Sequence, residues 1–324
     1  VEAMKKMHKW AFIFPGQGTQ YTGMGKDFHD AFPVAKAVFQ EADEILQQNF
    51  SSVIFEGSSE VLTLTKNSQI AIYIVSMAIL RTLQTQVPLF NPAICGGLSL
   101  GEYTALAASE KISFSHCLKL VQVRAEAMHQ ACRETKGTMQ VVLGLDESSV
   151  AEALQEISPK SGPVWIANIN CPGQIVIAGS IKNIEIAGEY LKKKGAKRII
   201  DLEVAGAFHS GLMQSAKEKL FNKIENAAIY ESKICFTMNV PGRIVDSVAM
   251  IKQYLLEQVT SPVLWQQSIL AMQDFGVEAY LEIGPGKTLS GMNKRIGANA
   301  PTLHIEKVAD LDGLVRQWES LCRS

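Results

Sequence analysis

A serine stands at the centre of the most specific short motif in the sequence, the pentapeptide Gly-Leu-Ser-Leu-Gly at 97–101. Residues 93–95 before it predict a short strand, and residues 102–109 after it predict a helix. This order is typical of the sharp strand-to-helix turn that holds a nucleophilic serine, here Ser99. The same turn puts the N–H of Leu100 at a helix N-terminus, where it can stabilise an oxyanion. The alternative is a serine that only caps a helix.

A serine of ordinary pKa needs a neighbouring base before it can act as a nucleophile. The sequence has six histidines, of which His209 lies between a predicted strand (198–204) and a predicted helix (211–226). Loops in such positions often carry catalytic groups. His209 is therefore the candidate base, although position alone leaves the other five histidines open.

The segment Gly16-Gln17-Gly18 follows the first predicted strand, residues 10–14. A loop at that place can lend a second oxyanion donor, the main-chain N–H of Gln17, and a plain turn is the alternative. The glycine spacing does not match the GxGxxG dinucleotide motif, and no Lys-Ser/Thr pair follows as in a phosphate-binding loop.

An arginine interrupts the apolar face of the predicted helix at 114–133. Arg124 shares that face with Cys117, Leu120, Val121, Ala125 and Met128. A buried guanidinium is costly unless it meets an anion. Three interpretations remain: an ion pair with a buried carboxylate, a stem that reaches out to water, or a bidentate clamp for a substrate carboxylate.

Composition excludes several classes of protein. Of 324 residues, 47% are hydrophobic and 19% are charged, which indicates a large core and excludes disorder. The 31 basic and 32 acidic residues nearly balance, so wholesale binding to nucleic acid or to an anionic membrane is not expected. Six scattered cysteines without a CxxC or zinc-like spacing predict reduced thiols and no metal site.

The N-terminal residues do not resemble a secretory signal peptide. Residues 4–9 are basic, but the apolar stretch behind them ends at Pro15-Gly16, far short of a signal-peptide core. No apolar run is long enough to span a bilayer. We expect an intracellular protein, with an organellar presequence that has already been removed as the open alternative.

The order of predicted elements indicates an α/β fold with an insert. Strands and helices first alternate as in a parallel sheet covered by helices, and this hydrolase-like pattern resumes after residue 204. Between them, predicted strands at 138–145, 164–170, 175–180 and 198–204 and helices at 148–157 and 183–195 form a βαββαβ, ferredoxin-like unit. We therefore predict a large part, 4–136 plus 205–324, and a small subdomain, 137–204. The large part is completed by predicted strands at 234–239 and 279–283 and helices at 211–226, 250–258 and 262–275.

Seven motifs, in order along nearly the whole chain, resemble the malonyl-CoA:acyl carrier protein transacylase family of type II fatty acid synthesis. Each motif alone is weak evidence, and their common order is highly specific. They are 14–18 (FPGQG), 97–103 (GLSLGEY), Arg124 with Met128, 168–174 (NINCPGQ), 207–210 (AFHS), 258–263 (QVTSPV) and 282–287 (EIGPGK).

The resemblance implies a role for each candidate residue. Ser99 is the nucleophile and His209 the base, and the main-chain N–H groups of Gln17 and Leu100 form the oxyanion hole. Arg124 binds the malonyl carboxylate. The remaining implied roles are substrate contacts by Met128, Asn168 and Phe208 and orientation of the base by the main-chain carbonyl of Gln258. Leu98, where many members have histidine, and Cys171, where serine is common, depart from the family pattern.

The resemblance also implies an activity. The malonyl group passes from malonyl-CoA to the phosphopantetheine thiol of acyl carrier protein by a ping-pong reaction through malonyl-serine, without a cofactor or metal. We expect a monomer in the bacterial cytoplasm or an organelle matrix. The carrier protein is acidic, so the basic run at 192–198 is a candidate docking surface, with a solvated helix end as the alternative. From the residues alone, a serine esterase or thioesterase and a non-catalytic scaffold remain open.

Overall fold

The computed structural model describes residues 9–88 and 90–323, with the backbone alone for 321–323. Residues 4–8 of the basic segment discussed above lie outside the described residues. Within the described ranges, no helix has the length and apolar character needed to cross a membrane.

Strands of two sheets and the helices that cover them make up the described chain. In chain order the strands are β1 (Trp10–Phe14), β2 (Ile94–Gly97), β3 (Thr138–Leu143), β4 (Val164–Cys171), β5 (Gln174–Gly179), β6 (Arg198–Asp201), β7 (Cys235–Met238), β8 (Arg243–Ile244), β9 (Val263–Leu264), β10 (Ala279–Ile283) and β11 (Thr302–Ile305). The α-helices are α1 (Lys26–Ala31), α2 (Pro33–Leu46), α3 (Phe50–Glu56), α4 (Ser59–Thr63), α5 (Thr65–Gln86), α6 (Leu100–Ala108), α7 (Phe114–Glu134), α8 (Glu147–Ser161), α9 (Ile181–Lys193), α10 (Gln214–Glu225), α11 (Val248–Glu257), α12 (Trp265–Asp274), α13 (Thr288–Ile296) and α14 (Leu311–Arg323). Short 3₁₀ turns lie at Gly211–Met213, Gln258–Thr260 and Val308–Asp310.

The larger sheet has the strand order β11-β10-β1-β2-β7-β8 and is parallel except for β8. Every residue of the central strand β1 is buried, as expected for a parallel strand covered on both faces. The prediction of a parallel sheet flanked by helices is confirmed. The edge strand β11 was not predicted, because its first three residues are only half-buried and the apolar pattern there is weak.

The smaller sheet has the order β6-β3-β5-β4-β9. The strands β3 to β6 and the helices α8 and α9 form the predicted βαββαβ arrangement, with antiparallel pairs between the strands. The fifth strand, β9, comes from outside 137–204 and pairs parallel with β4. The predicted helix at 262–275 was wrong at its start, because residues 263–264 extend this sheet and α12 begins at Trp265. The subdomain boundaries at 137 and 204 stay a prediction.

Two long helices carry buried polar side chains toward the end of β2. The helix α5 is 22 residues long and buried along almost its whole length, as its near-continuous apolar sequence requires. It packs against α7, which carries Arg124 among its buried residues. The two helices therefore bring polar groups from distant parts of the sequence to one place beside the turn after β2.

Candidate active site

Ser99 occupies a strained turn between β2 and α6. Its backbone has φ 54° and ψ −105°, a conformation that non-glycine residues rarely adopt. A Cβ atom on Gly97 would collide with the backbone of Gly101, and one on Gly101 would collide with the carbonyl oxygen of Phe14. The two glycines of the motif are therefore a steric requirement of the turn.

The serine hydroxyl contacts the predicted base. Ser99 Oγ lies 2.8 Å from His209 Nε2, and His209 Nδ1 lies 2.8 Å from the main-chain oxygen of Gln258. A carbonyl oxygen only accepts, so Nδ1 carries the proton and Nε2 is left to accept the proton of the serine. A main-chain carbonyl thus takes the place that an acidic side chain has in a triad.

Burial and charge keep His209 neutral. The side chain is 3% exposed, and burial, together with the positive charge of Arg124, lowers its pKa to about 4. Hydrogen bonds to the main chain of Gln258 and Ser261 raise the pKa of His209, but by less than burial and Arg124 lower it. The imidazole is therefore unprotonated at neutral pH, as a general base must be.

The Arg124 guanidinium is buried beside the same hydroxyl. Its side chain is 1% exposed, Nη2 donates to Ser99 Oγ at 3.0 Å and to Gln258 Oε1 at 2.8 Å, and Nη1 donates to Gln69 Oε1 at 2.5 Å. The ring of Tyr103 lies 5.3 Å from the guanidinium carbon. No carboxylate of the described residues forms an ion pair with it, and its stem does not reach water. The first two interpretations of Arg124, an ion pair and a stem that reaches water, are therefore wrong, and the third, a clamp for a substrate carboxylate, stays a prediction.

A cleft of about 270 Å³ opens above Ser99 between the two sheets. Most of the predicted site residues line it together: Gln17, Ser99, Met128, Asn168, Phe208 and His209. Leu98 also lines the cleft, and Val141 and Val176 add apolar surface from the smaller sheet. Arg124 and Gln258 form hydrogen bonds with Ser99 and are not among the residues that line the cleft. Leu100 is the first residue of α6, so its N–H has no partner within the helix.

Asn239 is a site residue that the sequence did not reveal. Its Oδ1 accepts from the Ser99 N–H at 2.8 Å, and its Nδ2 donates to the Gly97 main-chain oxygen at 2.7 Å. It follows β7, the strand next to β2, and so ties the strained turn to a neighbouring strand. Nothing in the sequence around Asn239 distinguishes it from a loop residue.

Glu102 and Gln69 are two further buried polar residues near Ser99 to which the sequence alone assigns no role. Burial raises the pKa of Glu102 to about 8, against the opposing effects of the Asn239 N–H, the charge of Arg124 and the amide of Gln258. Gln69 interrupts the apolar helix α5 and is fully buried. A polar residue at an apolar helical position is the signal that marks Gln69, as it marks Arg124.

Metal-binding side chains do not gather in the part of the chain that the structure describes. No three or more His, Cys, Asp or Glu side chains of residues 9–88 and 90–320 form a group that would hold an ion. The cysteines with described side chains are free thiols at 95, 117, 132, 171 and 235.

Comparison with known proteins identifies the family of the chain. The acyl transferase domain family matches residues 11–308. The chain is 42% identical to the malonyl CoA-acyl carrier protein transacylase of Bacillus subtilis over 92% of this chain and 94% of that protein. A crystal structure of the transacylase of that name from Clostridium perfringens has a TM-score of 0.91 at 38% identity and covers 98% of this chain and 100% of its own.

A further solved structure contains a carrier protein. It is a malonyl-transacylase in complex with a type II PKS acyl carrier protein, with a TM-score of 0.89, 35% identity and coverage of 94% of this chain and 97% of that one. Sequence and structure agree over almost the whole length of each relative. The chain therefore belongs to the acyl transferase family and, within it, to the malonyl-CoA:acyl carrier protein transacylases.

Proposed function

We propose that the protein transfers the malonyl group of malonyl-CoA to the phosphopantetheine thiol of acyl carrier protein, through a malonyl ester of Ser99. One observation carries the proposal: Ser99 Oγ lies 2.8 Å from a neutral imidazole and 3.0 Å from a buried guanidinium. The first group activates a nucleophile, and the second matches an acyl group that ends in a carboxylate. The activities named for the bacterial relatives support the same reaction and favour the cytoplasm as its location.

In the first half-reaction Ser99 attacks the thioester carbonyl while His209 takes the hydroxyl proton. The main-chain N–H groups of Gln17 and Leu100 stabilise the oxyanion, the first from the loop after β1 and the second from the N-terminus of α6. Coenzyme A leaves as the thiol after His209 returns the proton. All of these groups belong to the chain, so the proposed steps need only the malonyl thioester of coenzyme A and the thiol of the carrier protein.

Arg124 selects the acyl group. Only two carbon atoms, the ester carbonyl carbon and the methylene carbon, separate the free carboxylate of a malonyl ester from Oγ, so a guanidinium that contacts Oγ is within its reach. An arginine fork that is buried without an ion-pair partner gains most from such an anion. Met128, Asn168 and Phe208 line the cleft beside it and contact the acyl chain.

In the second half-reaction the carrier-protein thiol attacks the ester, with His209 again as the base. The ester must survive attack by water until the carrier arrives. The small cleft and its apolar lining, which includes Met128, Val141 and Phe208, reduce access of water to the ester.

Intact-mass spectrometry tests this function directly. After mixing with malonyl-CoA, the protein should gain the mass of one malonyl group, and holo acyl carrier protein should then remove it and become malonylated. Ser99→Ala should abolish the adduct. Ser109→Ala, which changes a buried serine just past the other end of α6, should leave it intact. Loss of the adduct to water at the same rate without carrier protein would instead indicate a thioesterase.

A further inference from the structure

Glu102 is a fully buried carboxyl group that the proposed steps do not use. It lies in the first turn of α6, three residues after Ser99, and is 0% exposed. Its Oε2 accepts from the N–H of Asn239 at 2.5 Å, and its Oε1 accepts from Nε2 of Gln258 at 3.0 Å. Both oxygen atoms are therefore engaged by donors from other elements.

Gln258 connects this carboxyl group to the reacting groups. Its side-chain Oε1 accepts from Arg124 Nη2 at 2.8 Å, and its Nε2 donates to the main-chain oxygen of Ser99 at 3.0 Å as well as to Glu102. Its main-chain oxygen accepts from His209. One residue thus contacts the nucleophile, the base and the guanidinium.

The direction in which the Gln258 amide points depends on its neighbours. The oxygen and the NH₂ of an amide are similar in size but opposite in hydrogen bonding. Glu102 presents an acceptor, which draws the NH₂ toward itself and leaves Oε1 for Arg124. Turned the other way, the amide would place NH₂ against a guanidinium that has only donors.

We propose that Glu102 is a positioning residue: through the amide of Gln258 it holds Arg124 beside Ser99 Oγ, where the carboxylate of the acyl group is to bind. The inference rests on the role proposed above for Arg124. It assigns Glu102 a part in the preference for acyl groups that end in a carboxylate.

An indirect contact has a clear advantage over a direct ion pair. A carboxylate on Arg124 would compete with the acyl carboxylate for the same N–H groups. With Gln258 between them, Glu102 orients Arg124 through hydrogen bonds while the guanidinium stays free of any ion pair among the described residues. The guanidinium therefore remains available to the substrate.

Glu102→Gln tests the proposal. The substitution keeps the side-chain volume of Glu102. It replaces one carboxyl oxygen, which accepts a hydrogen bond, by an NH₂ group that faces either the Asn239 N–H or the Nε2 of Gln258. We expect kcat/KM for malonyl-CoA to fall roughly tenfold more than that for acetyl-CoA, the factor that corresponds to losing one hydrogen bond to a charged group. Equal losses for the two substrates in a folded variant would overturn the proposal.

Glu282→Gln is the matched control. Glu282 is also 0% exposed and accepts from the N–H groups of Leu289 and Ser290, away from Gln258. It should lower the melting temperature and leave the ratio of malonyl to acetyl transfer unchanged. A general loss of stability is thereby separated from a loss of selectivity.

Two further variants make every outcome informative. If Glu102→Gln does not fold, Gln258→Met breaks the same link and should reduce the malonyl-to-acetyl ratio in the same way; an unchanged ratio would contradict the proposal. Arg124→Ala distinguishes the two hypotheses. If it lowers malonyl and acetyl transfer equally, the proposed clamp itself fails. If it is selective for malonyl and Glu102→Gln is not, only the role of Glu102 fails.

Discussion

Ser99 Oγ lies between a neutral base and a buried cation, and each of these neighbours affects the other. The charge of Arg124 adds to burial in lowering the pKa of His209 to about 4, so the cation proposed to select the acyl group also keeps the base unprotonated. The main-chain oxygen of Gln258 fixes the ring without adding a negative charge that would raise this pKa. A triad carboxylate at that position would shift it upward.

The pH dependence of acylation follows from this pKa. Only neutral His209 accepts the serine proton, and its pKa lies below the ordinary 6.5, so the neutral form persists into acid. Single-turnover formation of malonyl-enzyme should stay constant from about pH 8 to about pH 5 and decline toward about pH 4. Arg124→Met removes the nearby charge and should move the decline toward higher pH. Quenched-flow mass spectrometry measures both profiles, and a decline centred near pH 6.5 in the unmodified enzyme would contradict the assignment.

At the scale of elements, the turn between β2 and α6 depends on close contact between backbones. The backbone of Gly101 packs directly on the carbonyl oxygen of Phe14 in β1, and Asn239 after β7 binds the turn from the other neighbouring strand. Three parallel strands therefore hold a serine whose backbone conformation is unfavourable on its own.

Gly101→Ala should separate these backbones. The new Cβ meets main-chain atoms of Phe14 and Pro15, which cannot rotate away, so we expect a loss of roughly 1–3 kcal/mol in stability. The rate of malonyl-enzyme formation should fall as well, because Ser99 moves.

Gly291→Ala in α13 is the control: the added Cβ has open space around it and should stabilise the protein by up to about 1 kcal/mol. Thermal unfolding measures the first effect, and an unfolding temperature of Gly101→Ala equal to that of the parent would refute the steric account.

The strand β9 bears on how the chain divides into subdomains. We propose that 137–204 is a subdomain inserted into the large part, 4–136 plus 205–324, because its four strands and two helices follow one another without interruption. Its sheet is nevertheless completed by β9, which pairs with β4. The two parts are thus joined by a strand pair as well as by the cleft.

At the scale of the whole molecule, the cleft joins the reacting groups on the larger sheet to a wall formed by the smaller one. The basic run at 192–198 leads into β6, and the residues directly after β6, Leu202 to Val204, line the cleft. A four-residue strand is roughly 13 Å long, so about the length of β6 separates these cations from the residues that line the cleft. Lys192 and Lys193 are exposed, whereas Lys194 is paired with Glu156 at 2.6 Å.

Lys192→Ala combined with Lys193→Ala tests whether this run receives the acidic carrier protein. We expect KM for holo acyl carrier protein to rise several-fold and KM for malonyl-CoA to change little, because exposed charges mainly affect association with a charged partner. The expected increase should shrink at high salt, where such charges are screened. Lys223→Ala with Lys233→Ala, two exposed lysines outside the cleft, is the control. Equal changes in the KM values for carrier protein and for malonyl-CoA would contradict the docking hypothesis.

The sequence by itself determined the elements and the candidate groups that depend on near neighbours. Steric demands within five residues mark the turn at Ser99, and the 3.6-residue period of α7 places Arg124 on a buried face. The alternation of elements predicted both sheets, apart from the short strands β8 and β9 and the weakly patterned edge strand β11.

Only the tertiary structure decided which groups meet. The base lies 110 residues from the nucleophile, the Asn239 side chain 140 residues, and the Gln258 amide 159 residues. Whether Arg124 pairs with an acid, reaches water or faces the nucleophile also depends on how α5, α7 and the turn at 258–260 pack together. The physical reason is the sequence separation of the interacting residues. Local sterics and periodicity depend on residues that are close in the sequence, whereas contacts between distant segments form only when separate elements pack together.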